Sequence, residues 1–199
     1  MNVFDQSSRQ MSFEQLYNSI SVYLQKLTKN VSEIEFLVHK IGTSEDSEKV
    51  RVTFHQLQRN TNELAKESNR VLKELMMVEA LTPNEQSMQK QRKTSIAQDY
   101  VAVMNRFQVA QKLGASKEKD SLDRVRASRA FDSNIDPIQI SHKQQNELLQ
   151  VEQHVNLDIL AERETQIKRL ESDIVDVNQI FKDVSALIHE QGGMVGECV

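Results

Sequence analysis

Side chains able to do covalent or metal chemistry are few in this sequence and far apart. His39, His55, His142, His154 and His189 show none of the spacings that bring two imidazoles to one metal, and Cys198, the only cysteine, has no second thiolate or histidine pair to complete a zinc set. Gly192, Gly193 and Gly196 crowd together. A phosphate-cradling loop, however, needs a preceding strand and a following Lys-Ser or Lys-Thr, and neither is in the sequence. Asn30-Val31-Ser32 spells a glycosylation acceptor, but the polar N-terminus lacks the apolar run of a secretory leader, so the match is read as coincidence. No catalytic residue, no metal ligand and no cofactor are expected.

One polar side chain stands where its chemistry would matter. Toward the C-terminal end apolar residues recur at Ile167, Leu170, Ile174, Val177, Phe181, Val184 and Ile188, and the same alternation of three and four continues through Gln191 to Val195. So narrow a stripe suits packing against other helices in a coiled coil, because a helix laid on a globular core usually shows a broader apolar face. A carboxamide within such a seam weakens the assembly unless its donors and acceptors are matched, and in return it fixes register and selects partners. The other reading is that the helix has ended by Gly192-Gly193 and Gln191 is solvated. Spacing alone leaves both open.

The elements that would carry this seam follow from composition. Of 199 residues only 5 are glycine and 2 proline, none is tryptophan, and 27% are charged. That is too little turn chemistry for an all-β or alternating β/α chain, so the fold class is all-α. Ser12 with Gln15 is a capping box that opens a first helix, whose seam is Phe13, Tyr17, Ile20, Leu24, Leu27, Val31, Ile34, Val38 and Ile41, with Gly42 as its left-handed stop. A second seam runs Val50, Phe54, Leu57, Thr61, Leu64, Ser68, Val71, Leu75, Val78. Thr82-Pro83-Asn84-Glu85 then ends one helix and starts the next. The third carries Met88, Ile96, Tyr100, Val103, Phe107 and Ala110, with Gly114 as its expected stop. Three helices of roughly 45 Å joined by short turns predict an antiparallel bundle.

The expected organisation is an irregular N-terminus over 1–11, the bundle over 12–115, a flexible linker over 116–140 and the coiled-coil segment over 141–199. The linker is locally basic, with Lys117, Lys119, Arg124, Arg126 and Arg129. It reads either as a solvated tether or as an electrostatic contact with anionic lipid or with the acidic tail, which from 152 onward carries ten acidic against four basic residues. A net charge of −4 gives no general basic field, so nucleic acid is not an expected partner. No apolar run reaches the ~20 residues of a membrane span. The chain as given therefore reads as soluble and cytoplasmic, with any membrane contact indirect.

Ile167-Lys168-Arg169-Leu170-Glu171-Ser172-Asp173-Ile174, continuing through Val177-Asn178-Gln179-Ile180-Phe181-Lys182-Asp183 to Ile188-His189-Glu190-Gln191-Gly192, resembles the first part of a syntaxin SNARE motif. Ile41-Gly42-Thr43 with Asp46-Ser47, Asn62-Glu63-Leu64-Ala65-Lys66-Glu67, and Arg124-Val125-Arg126-Ala127 are similar to runs in the N-terminal regulatory (Habc-type) domain and linker of the endosomal syntaxins. The resemblance implies a Qa-SNARE, not an enzyme, serving vesicle docking and fusion on the cytosolic face of endosomal membranes. Its partners would be SNARE helices of the Qb, Qc and R types, a Sec1/Munc18-type regulator and a SNAP adaptor. Ile167, Leu170, Ile174, Val177, Phe181, Val184, Ile188 and Val195 would form assembly layers around Gln191 in the central one, and assembly would zip from the N-terminal layers onward. It also implies a bundle groove able to hold the chain's own SNARE helix. After Gly192 the sequence departs from the family pattern, which implies a partial motif without an anchor and a soluble or inhibitory form. The alternative is a soluble helical adaptor whose bundle binds a regulatory protein.

Overall fold

The computed structural model describes residues 11–132 and 143–193, with side chains described for 11–127 and 158–189. These residues form four helices: α1, Phe13–Lys40; α2, Glu48–Met77; α3, Pro83–Asp132; and α4, Lys143–Gly193. The expected starts of α1 and α3 are built as the sequence implies. The Ser12 hydroxyl accepts from the Gln15 amide at 3.3 Å, and the Gln15 side chain accepts from the Ser12 amide at 2.9 Å. Ser47 accepts from the Val50 amide at 3.3 Å to open α2. Thr82 accepts from the Glu85 amide, also at 3.3 Å, to open α3. Gly42 sits at φ +80°, the left-handed position that ends α1.

α1 packs between α2 and α3 on one side of the bundle, and α4 packs between the same two helices on the other. α1 and α3 run in the same direction, as the ion pairs Glu14–Arg92 and Glu35–Arg106 require; α2 and α4 run opposite to both. Ile20, Leu27, Val31, Ile34 and Val38 of α1, Phe54, Leu72 and Leu75 of α2, and Tyr100 and Phe107 of α3 are wholly or almost wholly buried in the core. The two small polar members of the α2 seam are satisfied within it. Thr61 Oγ1 donates to the Leu57 carbonyl at 2.7 Å and accepts from Asn30 Nδ2 at 3.2 Å. The Ser68 and Tyr100 hydroxyls both donate to the Ala65 carbonyl at 2.9 Å. Asn30 of the glycosylation triplet is thus engaged between helices. Met88 is exposed rather than part of the seam, because α3 first meets α1 at Arg92, one turn later.

α3 corrects two expectations. It does not stop at Gly114 but runs on to Asp132, so residues 116–132 are helix and not linker. Gly114 is there for space: a Cβ on it would lie 2.5 Å from Cζ of Phe54, whose ring is fully buried. Mid-helix glycine costs about 1 kcal/mol relative to alanine, and seating that ring is what offsets it. Beyond Gly114 only Ala115 and Leu122 are buried apolar residues among those described, and the helix is held chiefly by polar contacts that leave no apolar rhythm in the sequence. Lys117 Nζ donates to the carbonyls of His39 at 3.3 Å and Ile41 at 3.2 Å, capping α1. Glu118, 1% exposed, accepts from Arg51 Nη1 at 2.9 Å, and Ser121 accepts from Arg51 Nη2 at 2.9 Å. Arg51 Nε donates in turn to Asp46 at 2.9 Å in the α1–α2 turn. Lys93, near the other end of α3, caps α2 through the carbonyls of Met76 at 3.0 Å and Val78 at 2.6 Å. Asp136-Pro137 and the rest of 133–142 lie outside the described residues, as do 1–10 and 194–199.

Candidate functional site: the α2–α3 groove and the seam of α4

α4 fills the groove between α2 and α3 with the predicted seam turned inward. Ile167, Leu170, Val177 and Val184 are buried, and Ile174, Phe181 and Ile188 are half-buried and packed on the same core. Ile180, which is not a seam position, is buried as well. A groove between two helices covers a wider face than a single coiled-coil partner does, and that brings Ile180 inside. The backbone of α4 is helical through Gln191 to Gly193, so the helix has not ended at the glutamine. The Gln191 side chain and Val195 lie outside the described residues.

The rim of the groove is electrostatic. On the α2 side Asn62 Nδ2 donates to Asp173 at 2.8 Å, Lys66 pairs with Asp176 at 3.0 Å, Asn69 Nδ2 donates to Asp183 at 3.2 Å, and Lys73 pairs with Asp183 at 2.6 Å. On the α3 side Gln108 donates to Asn178, Lys119 pairs with Glu171, and Arg126 pairs with Glu164 at 3.0 Å. For Lys119 and Arg126, residues of the supposed tether, contact with the acidic tail is therefore the reading that holds. The Asn62-to-Glu67 run, one carrier of the family resemblance, supplies two of the α2 contacts.

Docking moves the protonation of the facing acids in opposite directions. Burial, reinforced by the neighbouring Asp176 carboxylate, raises the Asp173 carboxyl above its ordinary range against the pull of Lys66 and Asn62. Lys73 holds Asp183 below that range, helped by Gln179 and Asn69. Asp176 raises the Lys66 ammonium.

The α2 wall escaped the apolar count. Arg51, His55, Gln58, Asn62, Ala65, Asn69 and Leu72 recur in steps of four and three, and all are buried. This is a second seam at heptad spacing in which five of seven members are polar. The spacing was in the sequence; the residue types hid it. Among the described residues no three His, Cys, Asp or Glu side chains stand together as a metal site, and no helix is long and apolar enough to cross a membrane. What the arrangement does chemically is bury one face of a helix in a groove with a charged rim.

Comparison with known proteins agrees with the geometry. The family model for syntaxin-like protein matches residues 16–157, and that for the SNARE domain matches residues 158–197. Syntaxin-7 of Homo sapiens is 35% identical over 192 residues, covering 91% of this chain and 73% of the relative; Syntaxin-7 of Rattus norvegicus is 34% identical over 181 residues, covering 85% and 69%. Among solved structures, a chain of the Unc18–syntaxin 1 complex from Monosiga brevicollis shares the fold, with a TM-score of 0.63 at 16% identity over 93% of this chain and 85% of that one. A bundle of three helices with a SNARE helix laid in its groove, matched along nearly its whole length by syntaxin models and relatives, belongs to the syntaxin family of SNARE proteins, which act in vesicle trafficking.

Proposed function

We propose that this chain is a Qa-type SNARE of endosomal membranes whose bundle regulates it by covering its assembly seam. Ile167, Leu170, Ile174, Val177, Phe181, Val184 and Ile188 are the layers that meet partner helices, with Gln191 at the central layer and Val195 after it. The observation that carries this reading is that all seven seam positions from Ile167 to Ile188, identified by heptad spacing, are buried or half-buried in the groove. A docked seam is unavailable to other helices, so the arrangement is a closed, assembly-inhibited state. No group in the mechanism makes or breaks a covalent bond: the work comes from burying apolar surface, at roughly 25 cal/mol per Å². Gln191 contributes specificity, since a carboxamide there is matched by a partner layer that brings hydrogen-bond donors and is penalised by one that does not. The solved neighbour is a complex of a syntaxin with Unc18, and a regulator of that class is the partner proposed for the closed bundle.

Mixing the full chain with Qb, Qc and R SNARE helices and following helix content by circular dichroism tests the reading. A gain in helicity is expected, abolished by Phe181→Asp and lowered by Gln191→Ala. Helicity that stays additive in the mixture, unaffected by either substitution, sinks the proposal and leaves the adaptor reading in its place.

A further inference from the structure

The polar seam of α2 finds most of its partners: Asn62 and Asn69 each leave only their carboxamide oxygen unpartnered, whereas one level of the bundle leaves whole carboxamides so. Gln58 is 1% exposed and Gln111 of α3 is fully buried, and both atoms of each carboxamide lack a hydrogen-bond partner among the described residues. The two residues stand at one level of the bundle. Ala65 and Ser68 of α2 meet Tyr100, while Arg51 meets Glu118 and Ser121, so descending α2 corresponds to ascending α3, and residue 58 comes level with 111. The stretch of α4 alongside is bracketed for Gln58 by the Glu48–Arg163 ion pair at 3.4 Å and the Asn62–Asp173 hydrogen bond at 2.8 Å, and for Gln111 by the Gln108–Asn178 and Lys119–Glu171 contacts. Its buried side chains there are Ile167, Leu170 and Val177, which offer neither donor nor acceptor. Two carboxamides therefore lose water when α4 covers them and gain nothing from it. An open groove returns that water, so the penalty belongs to docking rather than to folding of the bundle.

We propose that Gln58 and Gln111 are the residues that set the affinity of the groove for its occupant. Their buried carboxamides penalise the apolar seam of α4, hold the closed state shallow enough to open, and favour a helix that brings a hydrogen-bonding side chain to their level. The inference rests on the closed state proposed above and assigns the pair that tunes it.

Amide hydrogen exchange of the full chain measures it, read at Leu170, Val177 and Val184 of α4 with Ile20 and Val31 of α1 as the record of bundle integrity. Gln58→Leu and Gln111→Leu are each expected to slow α4 exchange on the order of tenfold, as removal of an unpaired buried amide predicts. Gln58→Glu, which puts a charge in the same place, is expected to speed it by at least as much. Should a leucine loosen the bundle itself, seen as faster exchange in α1, Leu170→Gln carries the test from the other side. A carboxamide brought to the level of Gln58 and Gln111 slows α4 exchange, whereas an ordinary apolar groove would expel it and speed exchange severalfold. Leucine variants with α1 protected and α4 exchange unchanged or faster overturn the proposal while leaving docking intact. An α4 that exchanges like an unstructured chain in the wild type and in every variant overturns the closed state and the proposal together.

Discussion

Three residues show how much a single position decides here. Asp173 carries a raised carboxyl pKa in the docked state, through burial first and the charge of Asp176 second. A group that binds its proton more tightly when docked favours docking at low pH. The contribution is present below its free-helix value and is lost as pH rises through the docked one. Asp183, held down by Lys73, acts in the opposite sense and weakens docking only as pH falls through its own depressed value. Docking of α4 is therefore expected to tighten as pH falls through the raised Asp173 value and to weaken again as pH falls further through the depressed Asp183 one. Asp173→Asn should dock more tightly at neutral pH and lose the first of these steps, which exchange of α4 amides measured against pH will show. Gly114 decides a different matter. With Phe54 Cζ 2.5 Å from where a Cβ would stand, Gly114→Ala should destabilise the bundle by about 1–2 kcal/mol, overpacking outweighing the gain in helix propensity. Phe54→Leu should recover part of that loss in the double variant, with urea denaturation as the measurement.

At the level of elements, α1 and most of α2 were legible because their caps and apolar seams are local signals. Ser12 with Gln15, Ser47 and Gly42 do in the structure what their residue types suggest. The continuation of α3 was not legible. Its far half is anchored by Lys117 on the carbonyls of α1 and by Glu118 on Arg51, 67 positions away in sequence, and no local period records a partner that distant. Gly114 misled for a related reason, since close approach to a ring from another helix and the end of a helix use the same residue. The seam of α4 was legible as a seam, but not its place in a groove, which depends on a polar wall that the apolar count passes over. A prediction belongs to this scale. Arg51 and Glu118 are both nearly fully buried, so Glu118→Ala leaves the buried guanidinium with Asp46 as its remaining carboxylate and should cost about 1–3 kcal/mol in denaturant unfolding. Under the expected boundary Glu118 belonged to the linker, and the substitution would have been silent.

For the whole molecule, the proposed function sets one groove in competition with partner SNARE helices for the same face of α4. The rim pairs Lys66–Asp176, Lys119–Glu171 and Arg126–Glu164 are solvent-exposed on both partners. Such pairs contribute about 0–1 kcal/mol each and are screened by salt, so raising ionic strength from low to near 1 M should speed binding of partner SNARE helices modestly. A fragment beginning at residue 158 should bind them faster than the full chain at any salt, and stopped-flow fluorescence will compare the two. Agreement of the two rates would show that the bundle does not restrain the helix. The position of the cover along α4 also has a temporal meaning. The groove buries Ile167, Leu170, Val177 and Val184 almost completely, while Ile188 at the far end is only half-covered. For a helix that assembles from its N-terminal layers, the covered stretch is where the reaction begins. The bundle then acts on the lag before the first partner contact and leaves the speed of later zippering untouched, as a latch does rather than a brake.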